Sequence, residues 1–195
     1  MRIVGGKQWL GAALLLALVA HAWSLGHPNL PHMLWSCHVA SAVLAVGILF
    51  NLRSVVAAGF LFHLGIGFPA WLIEMIVTNG TFGSPVLVGH ILVTSSLVHV
   101  LPLIAGAIVL HPLRDVLPRS SIPFAWAIQL GMLPISRWLT PPPLNVNLAH
   151  TVWTPLQQSF PRLRVFHLAI SAACLGTLLI SYVGLRFLHH RGGQA

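Results

Sequence analysis

The side chains able to do chemistry in this chain are unevenly stocked. Twelve histidines and two cysteines stand beside only two carboxylates, Glu74 and Asp115. Reactions that need paired carboxylates are thereby excluded, as are calcium sites and di-iron sites of the multi-carboxylate kind. There is no G-x-S-x-G elbow, Walker A loop, HExxH or GxGxxG, and no CxxC to mark a zinc ribbon or a c-type haem. A Ser–His–Asp triad has no Asp to use, because Asp115 falls in a connection between apolar segments. A Cys–His pair needs no carboxylate. The thiolate is the reacting form of cysteine, and a neighbouring His or the positive end of a helix generates it. Cys37, early in an apolar segment and followed by His38, has the residue types for that chemistry.

The elements that must position these groups are membrane helices. Of 195 residues, 56% are hydrophobic and 6% charged, where soluble domains carry about 25% charged residues. Mean hydropathy is +0.86. Lipid offers no partner to unpaired backbone groups, so such a chain spans as helices. Apolar stretches at 8–25, 33–51, 55–77, 85–110, 122–139 and 165–188 predict six of them. The connections are 26–31, a tight turn near Arg53, 79–83, 111–121 and a long 140–164 segment opening with Pro141-Pro142-Pro143. No repeat at solenoid period is visible, which gives a single transmembrane domain over 1–195. The first segment has a basic start, Arg2 and Lys7, but no A-x-A site, and reads as a retained helix.

Orientation follows from the basic residues. Arg2, Lys7, Arg53, Arg114, Arg119, Arg186 and Arg191 fall on one side; Arg137, Arg162 and Arg164 fall on the other. This bias predicts an all-α, polytopic bundle of six transmembrane helices, N-in and C-in. The formal charge of +8 then faces anionic lipid rather than nucleic acid. In that topology Cys37, His38, His90 and His167 lie within roughly 10 Å of the outer boundary, at 1.5 Å rise per residue. His21, Glu74 and Arg137 come near the outer ends of their helices, and the outer loop adds Asn145, Asn147, His150 and Gln157. The inner half holds His63 and His99. Polar groups in a membrane are costly, so this layer is the main functional signal.

Blander roles stand beside each residue. Any one of these histidines can sit half-wet at the headgroup level, and Glu74 can be solvated there. Cys174, with Ala172 and Ala173 beside it, reads as a small buried hydrophobe. Gly65, Gly67 and Gly89 are expected to allow close helix packing, and Pro69, Pro102 and Pro134 to kink their helices. Trp9, Trp23, Trp35, Trp71 and Trp138 read as an interfacial belt.

A set of short motifs adds a resemblance. Ser36-Cys37-His38-Val39 is followed by Phe62-His63-Leu64-Gly65, Gly89-His90-Ile91, Leu144-Asn145-Val146-Asn147-Leu148 and Arg162-Leu163-Arg164-Val165-Phe166-His167. In that order, over about 31–174, they resemble the membrane family of the transmembrane cysteine acyltransferase of ether-phospholipid remodelling, with YwaF-like bacterial integral membrane proteins. The resemblance implies that Cys37 is an acyl-accepting nucleophile and that a His early in a later helix is its base. His90 matches best, with His99 as the alternative base. The chain lacks the cysteine that follows the Asn-rich turn in the mammalian pattern.

Three functions remain in play. The first is a lipid acyltransferase or esterase of a bacterial cytoplasmic membrane. It acts on membrane lipid near the outer leaflet without a cofactor. Cys37 and His90 face each other, supported by His38, Asn145, Asn147, His167 and Glu74. Adjacent helix residues point about 100° apart, so His38 is not expected to share a target with Cys37. The second is a cofactor protein, with haem b on His63 and His99 or a transition metal on His38, His90, His150 and His167. The third is a non-catalytic transporter or assembly factor. In each, the Pro/Asn-rich 140–164 segment is expected to fold over the bundle, with Asn145 or Asn147 pointing inward, because its apolar residues need burial.

Overall fold

The computed structural model describes residues 6–77, 89–111 and 117–192. The 79–83 connection, the start of the segment expected from 85, and Arg114 and Asp115 lie outside the described residues. What is described is all-helical: α1 Gln8–Leu25, α2 Ser36–Leu49, α3 Arg53–Phe62, α4 Phe68–Val77, α5 His90–Leu110, α6 Ser121–Leu139 and α7 Leu163–Gly192. Gln8–Leu25, Arg53–Ile76, His90–Leu110 and Leu163–Phe187 are each long and apolar enough to cross a membrane. The bent pair His27–Leu34 plus Ser36–Leu49 is long and apolar enough only when its two halves are taken together, as a broken span or a re-entrant loop. The helix α6, which carries Gln129, Ser136 and Arg137, is not among them. The bundle's outside is apolar, with Leu16, Val19, Ile76, Leu168 and Ile180 all exposed. The chain is an integral membrane protein.

Two departures from regular helix shape the interior. The segment expected at 33–51 is broken. Pro28 and Pro31 lack N–H donors, and 27–34 winds as a 3-10 helix. Trp35 is then extended (φ −56°, ψ 134°), and the axis turns by 72° into α2. The second departure is the π-helical stretch His63–Gly67 between α3 and α4. Pro69 cannot donate to the carbonyl of residue 65 and its ring crowds it, so a wider turn precedes it. Pro102 and Pro134 lie inside the continuous α5 and α6.

Small residues set the helix crossings. A Cβ at Gly59 of α3 would come 2.8 Å from the Leu44 Cβ and 3.0 Å from its Cα, so α2 and α3 touch at backbone distance. Gly65 and Gly67 also sit at close approaches, against α7 and Cys37 respectively. Gly89 does not: a Cβ there would meet nothing within 4 Å, and its φ of +54° makes it a turn residue before α5. Trp9, Trp23 and Trp138 are exposed, but Trp35 and Trp71 line an internal cavity.

The 140–164 segment packs tightly. Val146, Asn147, Ala149 and Val152 are buried. Asn145, Asn147 and Leu148 are left-handed, at φ 42°, 56° and 56°. Asn tolerates that region, but Leu is strained there. His167 Nε2–H donates to the Leu148 carbonyl at 2.8 Å and pins the strained turn to α7.

Candidate functional site: a buried cysteine–histidine cluster

The broken span decides where Cys37 sits. Because α2 begins at Ser36, inside the bundle, Cys37 occupies its first turn. The buried Ser36 amide at its start has no intrahelical acceptor and needs one from elsewhere. Asn147 supplies it: its Oδ1 accepts from Ser36 N–H at 2.7 Å, while its Nδ2 donates to the Leu34 carbonyl (2.8 Å) and Ser136 Oγ (2.6 Å). Ser36 Oγ donates to Gln129 Oε1 at 3.0 Å, tying the same turn to α6.

From this position Cys37 Sγ lies 3.2 Å from His99 Nε2. The expected partner, His90, is the exposed first residue of α5. Nine residues separate it from His99, about 13 Å along the helix. The Cys37–His90 pairing is therefore corrected to Cys37–His99. The physical reason is that the second helix does not start at 33: α2 starts at Ser36, beyond the 72° bend, which changes the direction of its first turn.

The His99 ring is fixed on three sides. Its Nδ1–H donates to the Ser95 carbonyl at 2.7 Å. That leaves Nε2 of the neutral ring as an acceptor, so the Cys37 thiol donates to it. Trp71 stacks on the ring, with centroids 5.2 Å apart and planes at 14°. Trp71 Nε1–H in turn donates to Ser95 Oγ at 3.1 Å.

His38 also turns toward Cys37, against expectation. Its Nδ1–H donates to the His32 carbonyl at 3.0 Å. Its Nε2 is buried and has no hydrogen-bond partner. Cys37 Sγ, a His38 ring nitrogen and a His99 ring nitrogen all lie within 4.8 Å of one another. Divergent Cα–Cβ bonds do not prevent this, because the imidazole is long enough to swing back once its Nδ1 is anchored in the 3-10 segment. His21 and His38 rings meet edge-on at 5.0 Å.

His63 lies beside this group. Ser41 Oγ–H donates to the Val98 carbonyl at 3.0 Å, so at 3.0 Å from His63 Nε2 it must accept. His63 Nε2 therefore carries the proton, and its Nδ1 is a buried lone pair without a partner. A Cβ on Gly67 would stand 3.0 Å from that Nδ1 and 3.4 Å from Cys37 Cβ. The absence of a side chain at 67 is what lets the π-helical turn close over Cys37.

The group opens on a cavity of about 310 Å³, lined mainly by apolar atoms from Leu25, Trp35, Ile66, Ile73, Leu148, Trp153 and Ile170, with Glu74 and Cys174 on its wall. Of Asn145 and Asn147, either of which the sequence allowed to point inward, Asn147 does so. Asn145 serves its own loop instead, its Oδ1 accepting from His150 and Thr151 N–H. His150 Nε2–H donates to the Thr140 carbonyl at 3.0 Å, away from Cys37. Sequence reasoning missed Ser36, Gln129, Ser95 and Trp71. Ser95 carried a weak signal, standing one helical turn before His99.

No protein-family model, no curated protein and no solved structure matches this chain.

Proposed function

We propose that the protein is a membrane-embedded cysteine acyltransferase or esterase acting on a lipid ester, with Cys37 as nucleophile and His99 as base. The observation that carries this reading is the 3.2 Å contact between Cys37 Sγ and His99 Nε2 at the edge of a mainly apolar cavity. The ring is already in the tautomer a base requires, because Nδ1–H is committed to Ser95. In the reaction, the thiol proton passes to His99 Nε2 as Sγ bonds to the acyl carbon. The ester C–O bond breaks and the leaving alcohol takes the proton back from His99. A second alcohol, or water, then attacks the thioester with His99 again as base. The apolar walls suit an acyl chain. His38, Asn147 and Glu74 support the pair, while His167 and Asn145 hold the loop that carries Asn147.

The same reading takes the chain as a six-span protein of a bacterial cytoplasmic membrane, N-in and C-in, with 140–164 over the outer end of the bundle. The seven-to-three distribution of basic residues supports that orientation. A cysteine-accessibility map that placed residues 79 and 194 on one side of the membrane would refute it.

The experiment is acyl labelling in detergent or vesicles with an activated long-chain ester. A hydroxylamine-sensitive acyl group should appear on Cys37 of the wild-type protein and be absent from Cys37→Ala. Full labelling of Cys37→Ala would overturn the proposal.

A further inference from the structure

We infer that Cys37, His38 and His99 form a binding site for one thiophilic divalent ion of the zinc class. This stands on geometry alone and does not depend on the lipid-ester reading. Among the described residues, these are the Cys and His side chains whose ligand atoms all gather within 4.8 Å. A tetrahedral zinc, with Zn–S about 2.3 Å and Zn–N about 2.0 Å, holds such atoms about 3.3–3.6 Å apart. The Cys37–His99 edge, at 3.2 Å, is already at that scale. The other two edges, both to His38, are no longer than 4.8 Å.

The tautomers fit the same purpose. Metal-ligating histidines give their other ring N–H to a carbonyl or carboxylate, which aims the lone pair at the ion. Both rings do so here: His38 Nδ1–H to the His32 carbonyl and His99 Nδ1–H to the Ser95 carbonyl. His38 supplies the second, independent sign of a ligand. It is only 5% exposed, and its Nε2 is a buried acceptor with no partner in the protein. An orphaned buried acceptor is destabilising, and an ion at the centre of the triad would satisfy it.

Binding exchanges one bond for another: the Cys37 S–H proton is released to solvent and an Sγ–metal bond forms, with no change of oxidation state. Two neutral imidazoles and one thiolate leave a single positive charge, and the Glu74 carboxylate lies on the same cavity wall. Three protein ligands leave a fourth position for water or a cavity ligand. The thiol cannot be a metal ligand and an acyl acceptor at once, so occupation of the site would switch off any chemistry at Cys37.

The test uses the full chain in detergent, stripped with a chelator and titrated with Co²⁺. One equivalent should produce thiolate-to-cobalt charge-transfer absorption together with tetrahedral d–d bands, both displaced by Zn²⁺. Cys37→Ala should lose the charge-transfer band, and Cys174→Ala should keep it. His38→Ala should weaken binding at least ten-fold. In the Cys174→Ala protein, one equivalent of Zn²⁺ should also protect Cys37 from alkylation, reversibly on chelation. This readout needs no variant at the site. Absence of the band in wild type, its survival in Cys37→Ala, or unchanged alkylation with Zn²⁺ would each overturn the site. Because the signals are spectroscopic and chemical, cobalt binding without acyl labelling supports this site while counting against the enzyme, and labelling without cobalt binding does the reverse.

Discussion

His38 and His99 sit on different helices, yet each gives its Nδ1–H to a backbone carbonyl and keeps Nε2 as an acceptor, which the Cys37 thiol fills at His99 alone. Their ring centroids are 5.5 Å apart with planes at 61°. The two carbonyls differ in kind. Ser95 lies within α5, one turn before His99, so that anchor is built from ordinary helix periodicity. His32 lies in the 3-10 segment before the bend, so the His38 anchor exists only because the span is broken there.

The first prediction concerns the base. His99→Ala should lower acyl labelling of Cys37 by ~10²–10⁴-fold, the usual contribution of a positioned general base. The pH dependence of what remains should follow the thiol alone. Labelling kinetics across pH check this; an unchanged rate would remove His99 from the reaction.

Trp71 acts on His99 by stacking and by its bond to Ser95 Oγ, so it is a positioning residue. Trp71→Phe keeps a ring over His99 and should cost less than ~10-fold in rate. Trp71→Ala opens space beside the ring and should cost more, on the maximal rate rather than on the concentration giving half of it. Equal effects of the two variants would argue against positioning by stacking.

Asn147 is the residue that closes the first turn of α2. Asn147→Ala leaves Ser36 N–H and the Leu34 carbonyl without their partner, at about 1–3 kcal/mol for each group that stays dry. Melting in detergent should drop by several degrees, and Cys37 should alkylate faster as the turn loosens. A variant with wild-type melting and wild-type thiol reactivity would show that water replaces the side chain at no cost.

Much of this was legible in the residues. Apolar length marked α1, which runs Gln8–Leu25 as expected, and it marked α5 and α6 to within a few residues at the ends that are described. Scarcity of carboxylates pointed to Cys37 and histidine. What pattern could not supply was depth. The 33–51 stretch is mainly apolar from end to end, so nothing in its periodicity reveals that it folds at Trp35. That fold depends on Pro28 and Pro31 upstream and on Asn147, more than a hundred residues downstream, to satisfy the new helix end. With the helix taken to start at 33, spacing along it favours His90 over His99 as the partner of Cys37; the start of α2 at Ser36, after the bend, removes that basis. Helix geometry alone sets His38 apart from Cys37. Its ring orientation is set by a carbonyl outside the helix that geometry described.

The last prediction separates packing from site. Gly59 and Gly67 both face close neighbours, but of different kinds. Gly59→Ala would push a Cβ to 2.8 Å from the Leu44 Cβ and 3.0–3.1 Å from its backbone. Backbone cannot rotate aside, so α2 and α3 must separate, at about 1–3 kcal/mol. Gly67→Ala meets only side-chain atoms, His63 Nδ1 at 3.0 Å and Cys37 Cβ at 3.4 Å. Those groups can yield by a few tenths of an ångström, and both belong to the cluster. Gly59→Ala should therefore lower the melting temperature clearly. Gly67→Ala should leave melting nearly unchanged while slowing acyl labelling of Cys37 and weakening cobalt binding by the triad. Melting curves and both site assays on the two variants check this. If Gly67→Ala melted early with its site chemistry intact, the π-helical turn would be a packing device rather than the wall of a functional site.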